Sequence, residues 1–283
     1  MKTPRGASLL DIHKVFNGLY TPFGSPVIGG QKPYSQLDGE ASYFFHITKP
    51  NKMKQLLTLL ITILLLPVTL SAQKEREIIP VNWKEIKEVA SKEPQRVKNL
   101  VLRLSAETPD TTMTQNERIL AYYGQSYLTP DTEMEEGRKL DDLMNQGKYE
   151  ECLAEAKELL KKNPVSLKAL SNATFSVVGI LKGTENPDEN RRKEGQVYFK
   201  RMDAIFRTIA STGDGSEKRP FSVNAVSDEY LFMRYHLNLW QFGTQVLKGK
   251  CDVFDLNQKS EYYTSPQIYF DITRVLEIES DLF

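Results

Sequence analysis

From Trp83 onward the apolar positions recur at helical spacing. Trp83, Ile86, Val89 and Ala90 form one stripe, and Val97, Leu100, Val101 and Leu104 form a second after Pro94, a residue tolerated in a first turn. Both stripes predict amphipathic helices. "ETPDTT" interrupts them, and Thr114 followed by Glu117 makes a capping box for a third helix through Ile119, Tyr123 and Tyr127, closed by Pro130. Leu170, Ala173, Thr174 and Val177 predict a further helix. Val197, Met202, Ile205, Phe206 and Ile209 predict the next, across the loop "KGTENPDENRRKEG". After "STGDGSEKRP" the period shifts toward two. "FSVNAV" is a short strand, Ser227 offers a cap for a helix through His236, and "FGTQVLKGKCDVFDL" reads as strand, Gly249-Lys250 turn, strand. In "QIYFDIT", Ile268, Phe270 and Ile272 face one way and Tyr269, Asp271 and Thr273 the other. The predicted class is α+β, with helices first and a small antiparallel sheet at the C-terminus.

The clearest local pattern is "GKYEECLAEAKELLKKNP", Gly147 to Pro164. It resembles the second half of a tetratricopeptide repeat: Gly and Tyr at the inter-helix turn, small residues at Cys152 and Ala156, Leu159 at the next packing position, and a terminal Pro164. Small residues at 152 and 156 allow close helix approach, and Pro164 is expected to open the next helix. The preceding helix, about Glu133 to Gln146, departs from the repeat at Glu136 and Lys139, where large apolar residues are expected. Two degenerate units over about 80 residues cannot stand as a solenoid, which needs ~3 repeats. Flanking segments must cover their ends.

A different signal lies upstream. In "MKQLLTLLITILLLPVTLSAQ", beginning at Met53, Lys52 and Lys54 precede an apolar run from Leu56, Pro67 breaks it, and Ser71-Ala72 ends it. That is the order of a signal peptide, and the run is shorter than the ~20 apolar residues of a comfortable membrane span. The expected organisation is an upstream extension over 1–52, with translation beginning at Met53, a signal peptide over 53–72 and one mature domain over 73–283. That domain divides into N-terminal helices (73–132), tetratricopeptide-like helices (133–212) and a helix plus antiparallel sheet (220–283). The competing reading keeps residues 1–52 as an arm before an uncleaved anchor.

Processing changes the composition. Seven of 37 basic and three of 37 acidic side chains lie in 1–72, leaving 30 and 34. A mildly acidic product without clustered Lys or Arg argues against nucleic acid or an anionic membrane as partner. His13 and His46 are lost too, so His236 is the one imidazole left. It has no His or Cys at ligand spacing, and a packing role is expected. Cys152 and Cys251 remain; a bond is permitted in an oxidising compartment, but two cysteines are no framework.

Candidate chemistry is sparse. Tyr122, Tyr123 and Tyr127 around Gly124 could form a carbohydrate-stacking or peptide-binding face, although aromatics at this spacing more often build a core. Asp252, Asp255 and Asp271 lie on neighbouring strands and could serve as acid and base or bind a hard cation, but alternation sends Asp252 and Asp255 to opposite faces. "GDG" at 213–215 lacks the Lys and context of a phosphate loop and reads as a turn. Glu150, Glu151, Glu155 and Glu158 with Lys157, Lys161 and Lys162 form a solvated helix face.

"NERILAYYGQSY", the repeat-like centre and "CDVFDLNQKSEYYTSPQIYFDIT" together resemble an uncharacterised family of small exported proteins of Bacteroidetes-type bacteria, classed as a domain of unknown function. The resemblance spans roughly Ile79 to Leu276 and implies an exported protein, periplasmic or extracellular, with no known activity to carry over. Two functions follow as expectations. The first is a protein- or peptide-binding or scaffold module using the repeat helices and the adjoining sheet edge. The second is a carboxylate-dependent glycan hydrolase of the envelope. The sequence points to no catalytic residues, cofactor or metal, and to no membrane span after processing.

Overall fold

The helical stripes become helices at nearly the positions their spacing predicts. The computed structural model describes residues 77–108, 110–129, 134–183 and 188–281; the predicted upstream extension and signal peptide lie outside them. Helix α1 (Trp83–Lys92) buries Ile86 and Ala90, and α2 (Pro94–Leu104) buries Val97, Leu100, Val101 and Leu104 behind Pro94 in its first turn. Helix α3 (Gln115–Leu128) starts at the predicted capping box: the Glu117 N–H donates to Thr114 Oγ1 at 3.2 Å and the Thr114 N–H donates to Glu117 Oε2 at 2.7 Å. Arg103 of α2 reaches Glu117 at 2.9 Å and Asp110 at 2.7 Å, tying the interrupting loop to both helices.

Helices α4 (Met134–Asn145), α5 (Tyr149–Lys162), α6 (Leu167–Lys182) and α7 (Glu189–Ala210) then pack in series. Gly147 takes φ +71°, which suits glycine and turns α4 into α5. Cys152 and Ala156 are completely buried, and the Cys152 thiol lies 3.5 Å from the Leu140 carbonyl of α4 and 3.9 Å from Asn172 Oδ1 of α6. The small side chain therefore sits between three helices, and both cysteines are free thiols. Gly179 of α6 has a packing reason as well, since a Cβ there would stand 2.7 Å from the Tyr149 ring of α5. Pro164 does not open α6 as predicted. It occupies the turn, and Ser166 caps the helix by accepting the Ala169 N–H at 3.2 Å. The expected face of α6 is buried throughout, at Leu170, Ala173, Thr174 and Val177.

The C-terminal part is a four-stranded sheet with α8 (Val226–Tyr235) on one face. Its strands are β1 (Phe221–Ser222), β2 (Phe242–Lys248), β3 (Cys251–Leu256) and β4 (Gln267–Asp271), in the order β1-β4-β3-β2. The β2–β3 hairpin turns at Gly249-Lys250 as predicted, with Gly249 at φ +65°. Two features differ from expectation. The sheet is mixed, because β1 pairs parallel to β4, placing Phe221 beside Phe270. A last helix, α9 (Thr273–Asp281), follows β4. Asp271 starts it by accepting the Thr273 N–H at 3.0 Å and hydroxyl at 2.6 Å.

Ile268, Phe270 and Ile272 are buried, and the Phe270 ring meets Phe221, Phe232 and Phe254 within about 6 Å. Long-range hydrogen bonds tie this sheet to the first helices. Trp83 Nε1 donates to Asp271 Oδ2 at 2.6 Å, Tyr123 Oη donates to the Ser222 carbonyl at 2.7 Å, and Arg274 of α9 donates to the Ser126 carbonyl at 2.8 Å. From Ile78 to Asp281 the described residues belong to one unit with one shared core.

Candidate functional site

Helix α8 presents Phe232 and Met233 to the core, and a residue three or four positions earlier shares that stripe. That position is Glu229. It carries a carboxyl group where the pattern calls for an apolar side chain, and the fold buries it completely, at 0% exposure. Among the described residues no N–H or O–H group donates to either of its oxygens. Facing it is Asp252 of β3, itself buried. Two carboxylates without a cation between them cannot share such a site fully ionised. Burial, then the charges of Asp252 and Asp228, push the Glu229 carboxyl up to about 9. At neutral pH Glu229 is therefore a neutral acid able to donate to Asp252.

The surrounding side chains extend this contact into a network. Tyr230 Oη donates to Gln245 Oε1 at 2.6 Å, and Gln245 Nε2 donates to Asp252 Oδ2 at 2.7 Å, so β2 and β3 are joined to α8 on the core face. On the other side of α8, Asp228 Oδ2 accepts the Tyr122 hydroxyl at 2.6 Å and the Ala225 N–H at 3.2 Å, starting the helix. Ser227 does not cap the helix as predicted: it lies inside the first turn, Ala225 is the N-cap residue, and Asp228 reaches back to its N–H. The cluster holds a neutral carboxylic acid against a carboxylate, the ingredients of acid–base chemistry. Its complete burial gives a substrate no approach to Glu229, so the arrangement stores a proton inside a structural joint.

The predicted binding face is not a surface. Tyr122 and Tyr123 are interior side chains, meeting edge to face at 4.8 Å, with Trp83 against Tyr123 at 5.2 Å. They are buried because α3 is covered on most sides, with every residue from Ile119 to Gln125 inside. Tyr127 is half-buried beneath the Arg274 guanidinium, 4.0 Å from its ring centre, and its hydroxyl donates to Glu277 at 2.9 Å. Burial and the Glu277 carboxylate raise its pKa.

The three predicted carboxylates are likewise not brought together. Asp252 faces the core and Asp255 is exposed, accepting from Gln267 Nε2 at 2.9 Å. Asp271 serves Trp83 and the start of α9. His236 is half-buried and stacks on Phe232 at 4.8 Å, the predicted packing role. "GDG" is a turn whose Gly215 carbonyl accepts the Tyr269 N–H and the Tyr263 hydroxyl, both at 3.0 Å. Burial raises both thiols, Cys152 and Cys251, away from the reactive thiolate form.

One surface remains open. Strand β2 is the edge of the sheet, and among the described residues no backbone group from another element pairs with its outer side. Gly243 to Lys248 are all exposed, with Val246 at 51% and Leu247 at 59% on opposite faces. Of the devices that blunt an edge, it has the charge of Lys248 and an irregularity between Phe242 and Gln245.

Among the described residues no group of three or more His, Cys, Asp or Glu is placed to hold a metal ion, and no helix is long and apolar enough to cross a membrane. No curated protein and no solved structure matches the chain. A family model does match, over residues 84–281, from α1 to the last residue of α9, and the chain belongs to the family described as Domain of unknown function (DUF4919).

Proposed function

We propose that the protein is an exported binding module that takes an extended segment of a protein or peptide partner along the free edge of β2. The open seven-residue edge with Val246 and Leu247 exposed carries this reading. An added strand satisfies the edge N–H and C=O groups and meets Val246 on one face and Leu247 on the other. The helices α4 to α7 serve as the tetratricopeptide-like scaffold beside it, supported by the small residues at 152 and 156 and the Tyr149–Gly179 contact. Export to the periplasm or exterior rests on the charged, apolar, small-residue order of Met53 to Ala72. The glycan-hydrolase alternative has less support, because Asp252, Asp255 and Asp271 are committed to separate places.

The test immobilises the chain from Gln73 to Phe283 and screens a displayed library of extended peptides. Peptides retained by the wild type should be lost by a Val246→Lys, Leu247→Lys double variant that keeps the wild-type fold. Retention of the same peptides by the double variant, or no retained peptide at all, overturns the reading.

A further inference from the structure

The buried acid on α8 has a consequence beyond binding at the strand edge, and it does not rest on that reading. Helix α8 lies on the core face of the sheet, with the Tyr230 ring 5.4 Å from Phe254 and 5.7 Å from Phe242. At the hairpin end of this interface the apolar contact gives way to Glu229 against Asp252, fully enclosed and without a donor to Glu229.

The charged and titratable groups around it offer no compensation. On α8 itself stand Asp228 and Tyr230, and Arg234 lies over the Tyr230 and Phe242 rings at 5.9 and 5.6 Å. Helix α3 contributes the Tyr122 hydroxyl, already given to Asp228. Strand β2 contributes neutral Gln245, and its Lys248 pairs with Glu217 at 2.5 Å. On β3, Cys251 is on the face opposite Asp252, and β4 places Phe270 beside Asp252. Helix α6 meets α8 through Phe175 and Tyr235.

We propose that the joint between α8 and the β2–β3 hairpin is a proton-held latch, closed while Glu229 and Asp252 share a proton and released when that proton leaves. The proton makes one carboxyl a donor and the other an acceptor. Its loss leaves two buried negative charges facing each other, and the smallest movement that separates them swings the exposed hairpin off α8.

The sign of the pH dependence follows. Glu229 has an ordinary value of 4.5 and is raised in the folded chain. Below that ordinary value both folded and unfolded chains hold the proton, and the latch contributes fully. As pH rises, the unfolded chain releases the proton while the folded chain keeps it, so unfolding gains by up to about tenfold per pH unit until the folded group also ionises.

The experiment compares the unfolding equilibrium of the wild type with that of Glu229→Gln, whose amide can still donate to Asp252 but does not titrate. The wild-type to variant ratio of unfolding constants should climb toward about tenfold per pH unit between about pH 5 and pH 9. Groups that do not interact with Glu229 cancel in that ratio. Parallel profiles overturn the latch. Should the variant not fold, the wild type with carbon-13 glutamate carboxyls is followed by infrared absorption and amide exchange. A protonated glutamate band at neutral pH that disappears in alkali, while residues 245–254 lose protection before α5 does, supports the latch. Absence of the band, or hairpin protection unchanged after it disappears, overturns it.

Discussion

The interior of the helical stack and the interior beneath the sheet are built differently. In α6 and α7 the buried threonine hydroxyls are satisfied by their own helix, Thr174 donating to the Leu170 carbonyl at 2.8 Å and Thr208 to the Ala204 carbonyl at 2.9 Å, and the buried Asn172 amide donates to the Lys168 carbonyl at 3.0 Å while its oxygen faces the Cys152 thiol of α5. What the two threonines require lies one turn away. Beneath the sheet the buried carboxyl groups are Asp228, Glu229 and Asp252, whose partners come from other elements and from a proton. The first kind of interior depends mainly on shape. The second depends on shape, connectivity and pH, and it is where function and regulation can be attached.

The comparison breaks most severely if the two interiors are separable. Phe270→Ala removes the ring shared by Phe221, Phe232 and Phe254 and should cost about 3 to 5 kcal/mol. Because one core runs through both parts, the helical circular dichroism and the Trp240 fluorescence should melt together at a lower temperature. Two transitions, with the helical one unmoved, would make the sheet a separate unit.

The dependence of the stack on close packing is tested by Gly179→Ala. The added methyl meets the Tyr149 ring, an overpacking expected to cost about 1 to 3 kcal/mol against the ~1 kcal/mol that alanine gains over glycine in a helix. In a Tyr149→Ala background the same change should turn stabilising. Equal effects in both backgrounds, measured by denaturant unfolding, would remove the packing account. The smallest effect is expected at Cys152→Ala, under about 1.5 kcal/mol, because the swap nearly conserves volume. Non-reducing peptide mapping should find no 152–251 cross-link.

Legibility followed the same division. The helices α1 to α3 and α5 to α7 were written in local signals: stripes of apolar residues, the Thr114–Glu117 box and Gly147. The hairpin was written in Gly249. Signals that depend on distant chain were not legible. The parallel pairing of Phe221 with Phe270 spans most of the C-terminal part, and α9 has only Val275 and the partly covered Leu276 and Ile278 as a short apolar stripe. Tyr122 and Tyr123 are neighbours that point to different sides of a helix, so both are buried only because α3 is surrounded by α1, α2, α7, α8, α9 and strand β1. Glu229 could have been found. It lies three and four residues before Phe232 and Met233, an acidic residue at a core position, which sequence reading passes over when it looks for acids on strands.

The bond from Trp83 to Asp271 joins residues 188 apart, and Arg274 reaches back 148 residues to Ser126. Contacts at that separation close very large loops and are among the slowest to form. Helices α1 and α3 therefore cannot make these two contacts until Asp271 and Arg274 have been synthesised. A nascent chain halted before Asp271 has its first helices and the Tyr122 and Tyr123 bonds, but lacks the partners of Trp83 and Ser126. Loss of the segment from Asp271 to Arg274 therefore acts far away in the sequence, on helices α1 and α3.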